Sequence, residues 1–165
     1  MKKRYGIIKA RAYANGSTQR TYINKLEAAS PTVSTEGLIT TAVIDANQNG
    51  NVITLVIPNT FVQTPIPEGD HKVIIRINDL LVHYLTELFP GKYKNYTTIK
   101  NNSKILYVEM RKALYRMILS SRLFYKHFRA DLESTGLKIN PYNLCVANHK
   151  RTSTNYNLAY WWCQS

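Results

Sequence analysis

Residues able to do chemistry are few and scattered in this chain. Cys145 and Cys163 are the two thiols, and no Cys-x-x-Cys brings a pair to zinc-binding or redox spacing. His71, His83, His127 and His149 are too far apart in sequence to suggest a metal site, and they read as solvated or partly packed side chains. The four aspartates, Asp45, Asp70, Asp79 and Asp131, fall on a predicted helix end, a loop, a helix start and a helix. Asn15-Gly16-Ser17, Asn95-Tyr96-Thr97 and Asn101-Asn102-Ser103 match the glycosylation acceptor. The opening Met1-Lys2-Lys3-Arg4-Tyr5-Gly6 leads into a short apolar pair and not a secretory core. These matches are therefore expected to be fortuitous, and the chain to be intracellular, in cytoplasm or nucleus, and not secreted.

Charge is the stronger signal. Lys and Arg number 22 against 10 Asp and Glu, a net charge of +12 in 165 residues, with a pI near 9.8. Such an excess speaks of partners and solubility, not of fold. The longest basic run is Lys2-Lys3-Arg4, short of the denser block that a membrane surface or a nuclear-import signal needs, so nucleic acid is the expected polyanion. A fragment whose acidic part lies elsewhere is also open. Arg122, Lys126 and Arg129 share one predicted helix, with Lys112 and Arg116 just upstream, a set that can track a phosphate backbone. A solvated polar face explains the first three equally well.

These side chains need elements to hold them. Apolar residues make up 44% and charged residues 19%, unlike a disordered chain, and no apolar run reaches the roughly 18–20 residues of a membrane span. Residues 5–14 are β-rich and Asn15-Gly16 is a turn signal, which predicts an opening antiparallel ribbon. Ser30-Pro31 reads as a helix start, with Val33, Leu38, Ala42 and Ile44 as its apolar face and Asn47-Gln48-Asn49-Gly50 as its stop. Val52 to Ile57 reads as a buried strand ended by Pro58, and residues 64–70 as a loop.

Val73 to Ile77 is a further strand. Asn78 is placed to cap a helix carrying Leu81, Leu85 and Leu88, ended by Pro90-Gly91. Segments 95–100 and 103–109 flank Asn101-Asn102 as a hairpin. Ser121 is placed to cap a helix on which Phe124, Phe128 and Leu132 recur as core up to Gly136. Leu144 to Ala147 and Asn157 to Trp162 form a final strand pair. On a strand Trp161 and Trp162 face opposite sides, exposing one. Most of the twelve tyrosines read as half-buried aromatics, though any could stack on a base. The order predicts an α+β domain with a largely antiparallel sheet and helices packed on one face.

Several segments together resemble a family. Thr54-Leu55-Val56-Ile57-Pro58-Asn59-Thr60-Phe61-Val62 followed by Pro67-Glu68-Gly69 is similar to the "Asp-Val-Lys-x-Ala-Phe-Leu … Pro-Glu-Gly" region of copia-like LTR-retrotransposon reverse transcriptases, RNA-directed DNA polymerases. Val108-Glu109-Met110-Arg111-Lys112-Ala113-Leu114-Tyr115-Arg116 resembles that family's "Leu-x-Lys-Ala-Leu-Tyr-Gly", continuing through residues 120–128 and Gly136-Leu137-Lys138. Tyr142-Asn143-Leu144-Cys145-Val146 resembles "Tyr-Asp-x-Cys-Leu", and Lys9-Ala10-Arg11 the family's "Lys-Ala-Arg". The match is collinear over nearly the whole chain. It implies one reverse-transcriptase-like domain over 1–165, with fingers at 1–30 and 65–110 and palm at 31–64 and 111–165, stopping at the catalytic hairpin.

The resemblance also implies what is missing. The family holds Mg²⁺ with one aspartate on the first palm strand and two in a "Tyr-Val-Asp-Asp"-like turn, and the ions activate the primer hydroxyl and neutralise the departing pyrophosphate. Here those positions are Val56, Cys163 and Gln164. Valine offers no ligand, glutamine a neutral oxygen, and cysteine a thiol unsuited to Mg²⁺. No cofactor is expected, and the chain reads as an inactive polymerase relative with residual primer–template binding. The partners implied are an RNA–DNA or DNA duplex, weakly held, and the remainder of an element polyprotein, with no membrane. A decayed, poorly folded fragment that binds polyanions only as a polycation is the alternative.

By the same resemblance, Lys9 and Arg11 face an incoming triphosphate, and Phe61 and Gln63 approach the nucleotide sugar and template. Lys9 and Arg11 as solvated bases, and Phe61 as plain core, are the competing readings. Arg116 stands where the family has glycine. If that glycine has a positive φ or a close backbone approach, the arginine is strained there or swings into the nucleic-acid groove.

Overall fold

A computed structural model describes residues 12–47, 57–69, 72–151 and 155–160. In chain order the elements are a 3-10 turn at Thr18–Thr21, α1 (Lys25–Ala28), α2 (Thr35–Asn47), α3 (Thr60–Gln63), β1 (Ile74–Asn78), α4 (Asp79–Leu88) and α5 (Pro90–Tyr93). A second 3-10 turn at Lys94–Tyr96 precedes β2 (Thr97–Lys100), β3 (Ser103–Glu109), α6 (Ser120–Ser134), β4 (Lys138–Ile139), β5 (Val146–Arg151) and β6 (Asn155–Tyr160). The fold is α+β, and its strand pairing is antiparallel within the sheets. One largely antiparallel sheet was the expectation. Among the described residues the strands form two three-stranded sheets instead, ordered β1-β3-β2 and β4-β5-β6.

The chain divides into two compact units, one of residues 1–64 and 113–165 and the other Pro65–Lys112. In the first, the Ala113 amide donates to the Thr64 carbonyl at 2.9 Å. In the second, Pro65 bridges to Lys112 and the Ile66 amide donates to the Arg111 carbonyl at 3.0 Å.

The core of the first unit is built on α6. Phe124 packs with Phe61 and Ala113, joined by Tyr115, Leu123 and Phe128. At the next position Tyr125 packs with Ala147 of β5, with Phe128, Leu132, Leu137 and Ile139 around them. The four-residue recurrence of Phe124, Phe128 and Leu132 therefore does mark the inward face. Gly136 ends α6 at φ 90°, its amide donating to Glu133 and the Leu137 amide reaching back to Leu132 at 3.2 Å, a Schellman closure. That reversal feeds β4 onto β5, with Ile139 opposite Ala147. The final strand pair forms as β5 and β6, Ala147 opposite Ala159. Trp161 and Trp162 lie outside the described residues.

Several local expectations are corrected. After Asn15-Gly16 the chain enters a 3-10 turn and not a second ribbon strand. Asn15 Oδ1 accepts from the Ser17 amide, and Tyr13 makes a single parallel bridge to Tyr115. The cap of α2 is Ser34, not Ser30, since Ser34 Oγ accepts the Gly37 amide at 3.0 Å. On α2 the buried residue is Thr41, while Leu38, Ile39 and Val43 are more than half exposed. For the helix at 120, Ser121 does not cap. The buried Ser120 hydroxyl instead donates to the Leu114 carbonyl at 2.6 Å, tying the helix start to the preceding turn. Of the strand read at 52–57, residues 52–56 lie outside the described residues and Ile57 is irregular.

In the second unit the hairpin at Asn101-Asn102 forms, both asparagines left-handed at φ 51° and 60°, as a two-residue turn of this hand requires. β3 is central, Ile105 and Leu106 are each 1% exposed, and α4 packs on β3 and β1. The inward residue of α4 is Val82, fully buried, whereas Leu81 and Leu88 are exposed. Asn78 precedes α4 without capping it, because its side chain accepts from Arg76 Nε at 2.8 Å. Pro90 both follows the end of α4 and opens α5 at its first position.

Candidate nucleic-acid interface

Arg122, Lys126, Arg129 and Glu133 follow one another at spacings of four, three and four on α6, which places them on one face. From Arg122 to Arg129 the row runs about 10 Å along the axis. With Leu26, Ala29 and Pro31 from the α1 region and with Tyr125 and Ala130, they line an open concavity of about 530 Å³. Arg122 donates its guanidinium to the carbonyl of Glu27, which fixes α1 against α6 and the arginine at the concavity's rim. Arg129 Nε donates to Glu133 Oε1 at 2.9 Å. That carboxylate, hydrogen-bonded to it, raises the guanidinium's pKa above its ordinary value and keeps it charged. Lys126 is exposed and has no ion pair or hydrogen bond among the described residues.

The row thus carries three cations and one carboxylate along the same helix face, and among the described residues the middle cation is uncommitted. Tyr125 also lines the concavity, is buried, and donates its hydroxyl to the Leu144 carbonyl at 3.3 Å. The chemistry of such a row suits a polyanion whose charges are spaced along a line. On the neighbouring face His127 Nδ1 lies 3.0 Å from Asp131 Oδ2.

Arg116 is not part of this row. Its backbone is left-handed at φ 67°, and its guanidinium carbon lies 5.1 Å from the centre of the Tyr13 ring, a cation–π contact. Gly16 lies so close to the Arg116 carbonyl that a Cβ there would overlap it. The Ala14 amide donates to the Tyr115 carbonyl at 2.9 Å, and Gln19 Oε1 accepts the Ile118 amide at 2.9 Å. The segment 114–118 is therefore clasped by residues 13–19.

The remaining expected contacts divide. Phe61 is 7% exposed, with edge-on ring contacts to Tyr115 and Phe124, so it is core. Gln63 is exposed and donates to the Pro58 carbonyl at 2.8 Å. Lys9, Arg11, Val56, Cys163 and Gln164 lie outside the described residues, as does Asp70. The described aspartates make no substitute carboxylate cluster. Asp45 is near the end of α2, Asp79 opens α4 and Asp131 pairs with His127. Among the described residues no three His, Cys, Asp or Glu side chains gather. Among the same residues no helix is long and apolar enough to cross a membrane.

The sequence reading missed the opposite wall of the concavity, Leu26, Ala29 and Pro31, and the Tyr13 seat of Arg116. Neither has a local signature. The Arg129–Glu133 pair does have one, its i,i+4 spacing. No family model, curated protein or solved structure matches the chain.

Proposed function

We propose that this chain is a catalytically inert, reverse-transcriptase-like module that holds the phosphate backbone of a primer–template duplex along α6. The row of Arg122, Lys126 and Arg129 beside an open concavity carries the reading, because it supplies a line of cations whose central lysine has no ion pair among the described residues. The backbone of Arg116 supports the kinship. Where the resemblance has glycine, φ is 67°, the region that favours glycine. The unit boundaries after Thr64 and after Lys112 fall beside the implied fingers–palm junctions at 64 and 110. Residues 12–30, the other finger segment by resemblance, belong to the first unit.

A second reading is a polycation with a weakly packed fold, favoured by the exposed apolar residues of α2 and α4. Fluorescence anisotropy at about 0.15 M salt, where the Debye length is roughly 8 Å, separates the two. An RNA–DNA hybrid is compared with a single strand of equal charge. Preference for the hybrid, with Lys126→Ala lowering the salt slope by about one, supports the module. Equal affinities that vanish together as salt rises, with Lys126→Ala no worse than Lys138→Ala, leave only counterion release.

A further inference from the structure

We propose that the free edge of β2 is a docking site for an extended, acidic segment of a partner protein, which adds to the sheet as a fourth strand. Among the described residues the order β1-β3-β2 pairs β2 on one side only. Lys100 and Ser103 face each other across the two-residue turn, with Ile99 opposite Lys104 next along. In an antiparallel ladder the backbone groups alternate in direction, so Ile99 turns its N–H and C=O outward, away from β3. The strand start is already fixed. The Thr97 amide donates to the Lys94 carbonyl and its hydroxyl to the Tyr93 carbonyl at 2.9 Å. This edge is therefore pre-shaped, and the outward N–H and C=O of Ile99 can take a strand.

Side chains around the edge select the occupant. Ile99 is 75% exposed and Tyr96 72%, which suits apolar residues at alternate positions of an added strand. From Phe89 to Val108 the sequence has Lys92, Lys94, Lys100 and Lys104 and no Asp or Glu. None of these lysines is in an ion pair among the described residues. Lysines on an edge oppose pairing with a second copy of the same edge. They favour a strand of opposite charge instead. A nucleic acid would meet the charge and leave both the outward backbone groups and Ile99 unmatched.

The site does not depend on the α6 reading. Its test uses the full chain and a fluorescent eight-residue peptide alternating glutamate and valine. Controls are the same peptide N-methylated at alternate amides, and an oligothymidylate of equal charge. The expected result is binding of the plain peptide, about tenfold weaker for the N-methylated one because its edge hydrogen bonds are lost, and little displacement by the oligonucleotide. Ile99→Pro, which removes an outward N–H at an exposed edge position, weakens binding to a similar degree while circular dichroism stays native. If that variant does not fold, the N-methylated peptide on the unaltered chain decides. No binding, equal binding of the N-methylated peptide, or full displacement by the oligonucleotide overturns the proposal.

Discussion

The guanidinium of Arg116 rests on the ring of Tyr13, 5.1 Å from its centre, while its own backbone is left-handed at φ 67°. One residue thus combines an unfavourable main-chain conformation with a favourable side-chain contact. A left-handed non-glycine residue costs roughly 1–2 kcal/mol, and an exposed cation–π contact contributes about 0.5–1 kcal/mol. Arg116→Ala loses the contact and keeps the strain, whereas Arg116→Gly loses the contact and relieves it. In urea denaturation the glycine variant is expected to be the more stable of the two by about 1 kcal/mol, after the entropy that glycine adds to the unfolded chain. The reverse order would rule out the left-handed backbone.

Gly16 and Gly91 give opposite expectations for the same substitution. A Cβ on Gly16 meets the Arg116 carbonyl, part of the main chain and unable to yield, whereas nothing lies within 4 Å of one on Gly91. Gly16→Ala should destabilise by about 1–3 kcal/mol through overpacking. Gly91→Ala, in α5, should stabilise by about 0.4–1 kcal/mol. Thermal denaturation of the two variants side by side checks both signs.

Ser34 accepts the Gly37 amide at the start of α2, whereas the Ser30 hydroxyl has only a long contact to the Pro31 carbonyl, at 3.5 Å. Ser34→Ala should cost about 1 kcal/mol. Ser30→Ala should stay within about 0.5 kcal/mol of the parent. Equal losses would mean that the helix starts earlier than Thr35.

Phe61 touches Tyr115 and Phe124 in the core. Phe61→Ala is expected to destabilise by about 3–5 kcal/mol, visible as an earlier denaturation midpoint. A variant that folds with parental stability yet loses nucleic-acid affinity would return Phe61 to the role of a contact residue. Gln63→Ala, exposed nearby, should leave stability nearly unchanged.

What was legible in the sequence was local. Asn101-Asn102 announced its hairpin because both residues tolerate positive φ. The α6 core stripe and Gly136 were readable because period and left-handed cap both lie within the helix itself. The errors arise where a distant segment decides. Gly16 reads as a hairpin glycine by its neighbours, yet what requires it is the carbonyl of Arg116, far along the chain. Ser30 and Ser34 have similar capping chemistry, and only the observed start of α2 separates them. On α4, Leu81 and Leu88 match a helical stripe as well as Val82 does, but the buried face is set by where β3 and β1 lie. The rim arginine was readable as a cation. Its anchor, a backbone carbonyl at Glu27, has no residue type to announce it.

The hydrogen bond between Ala113 and Thr64 makes residues 65–112 a cassette. The chain departs from the first unit and rejoins it at hydrogen-bonded neighbours, so a short turn could close that gap in their place. Changes in the cassette's length alter loop-closure entropy only logarithmically. Evolution or an engineer could therefore lengthen, trim or exchange it while the register of Phe61, Ala113 and Phe124 is kept.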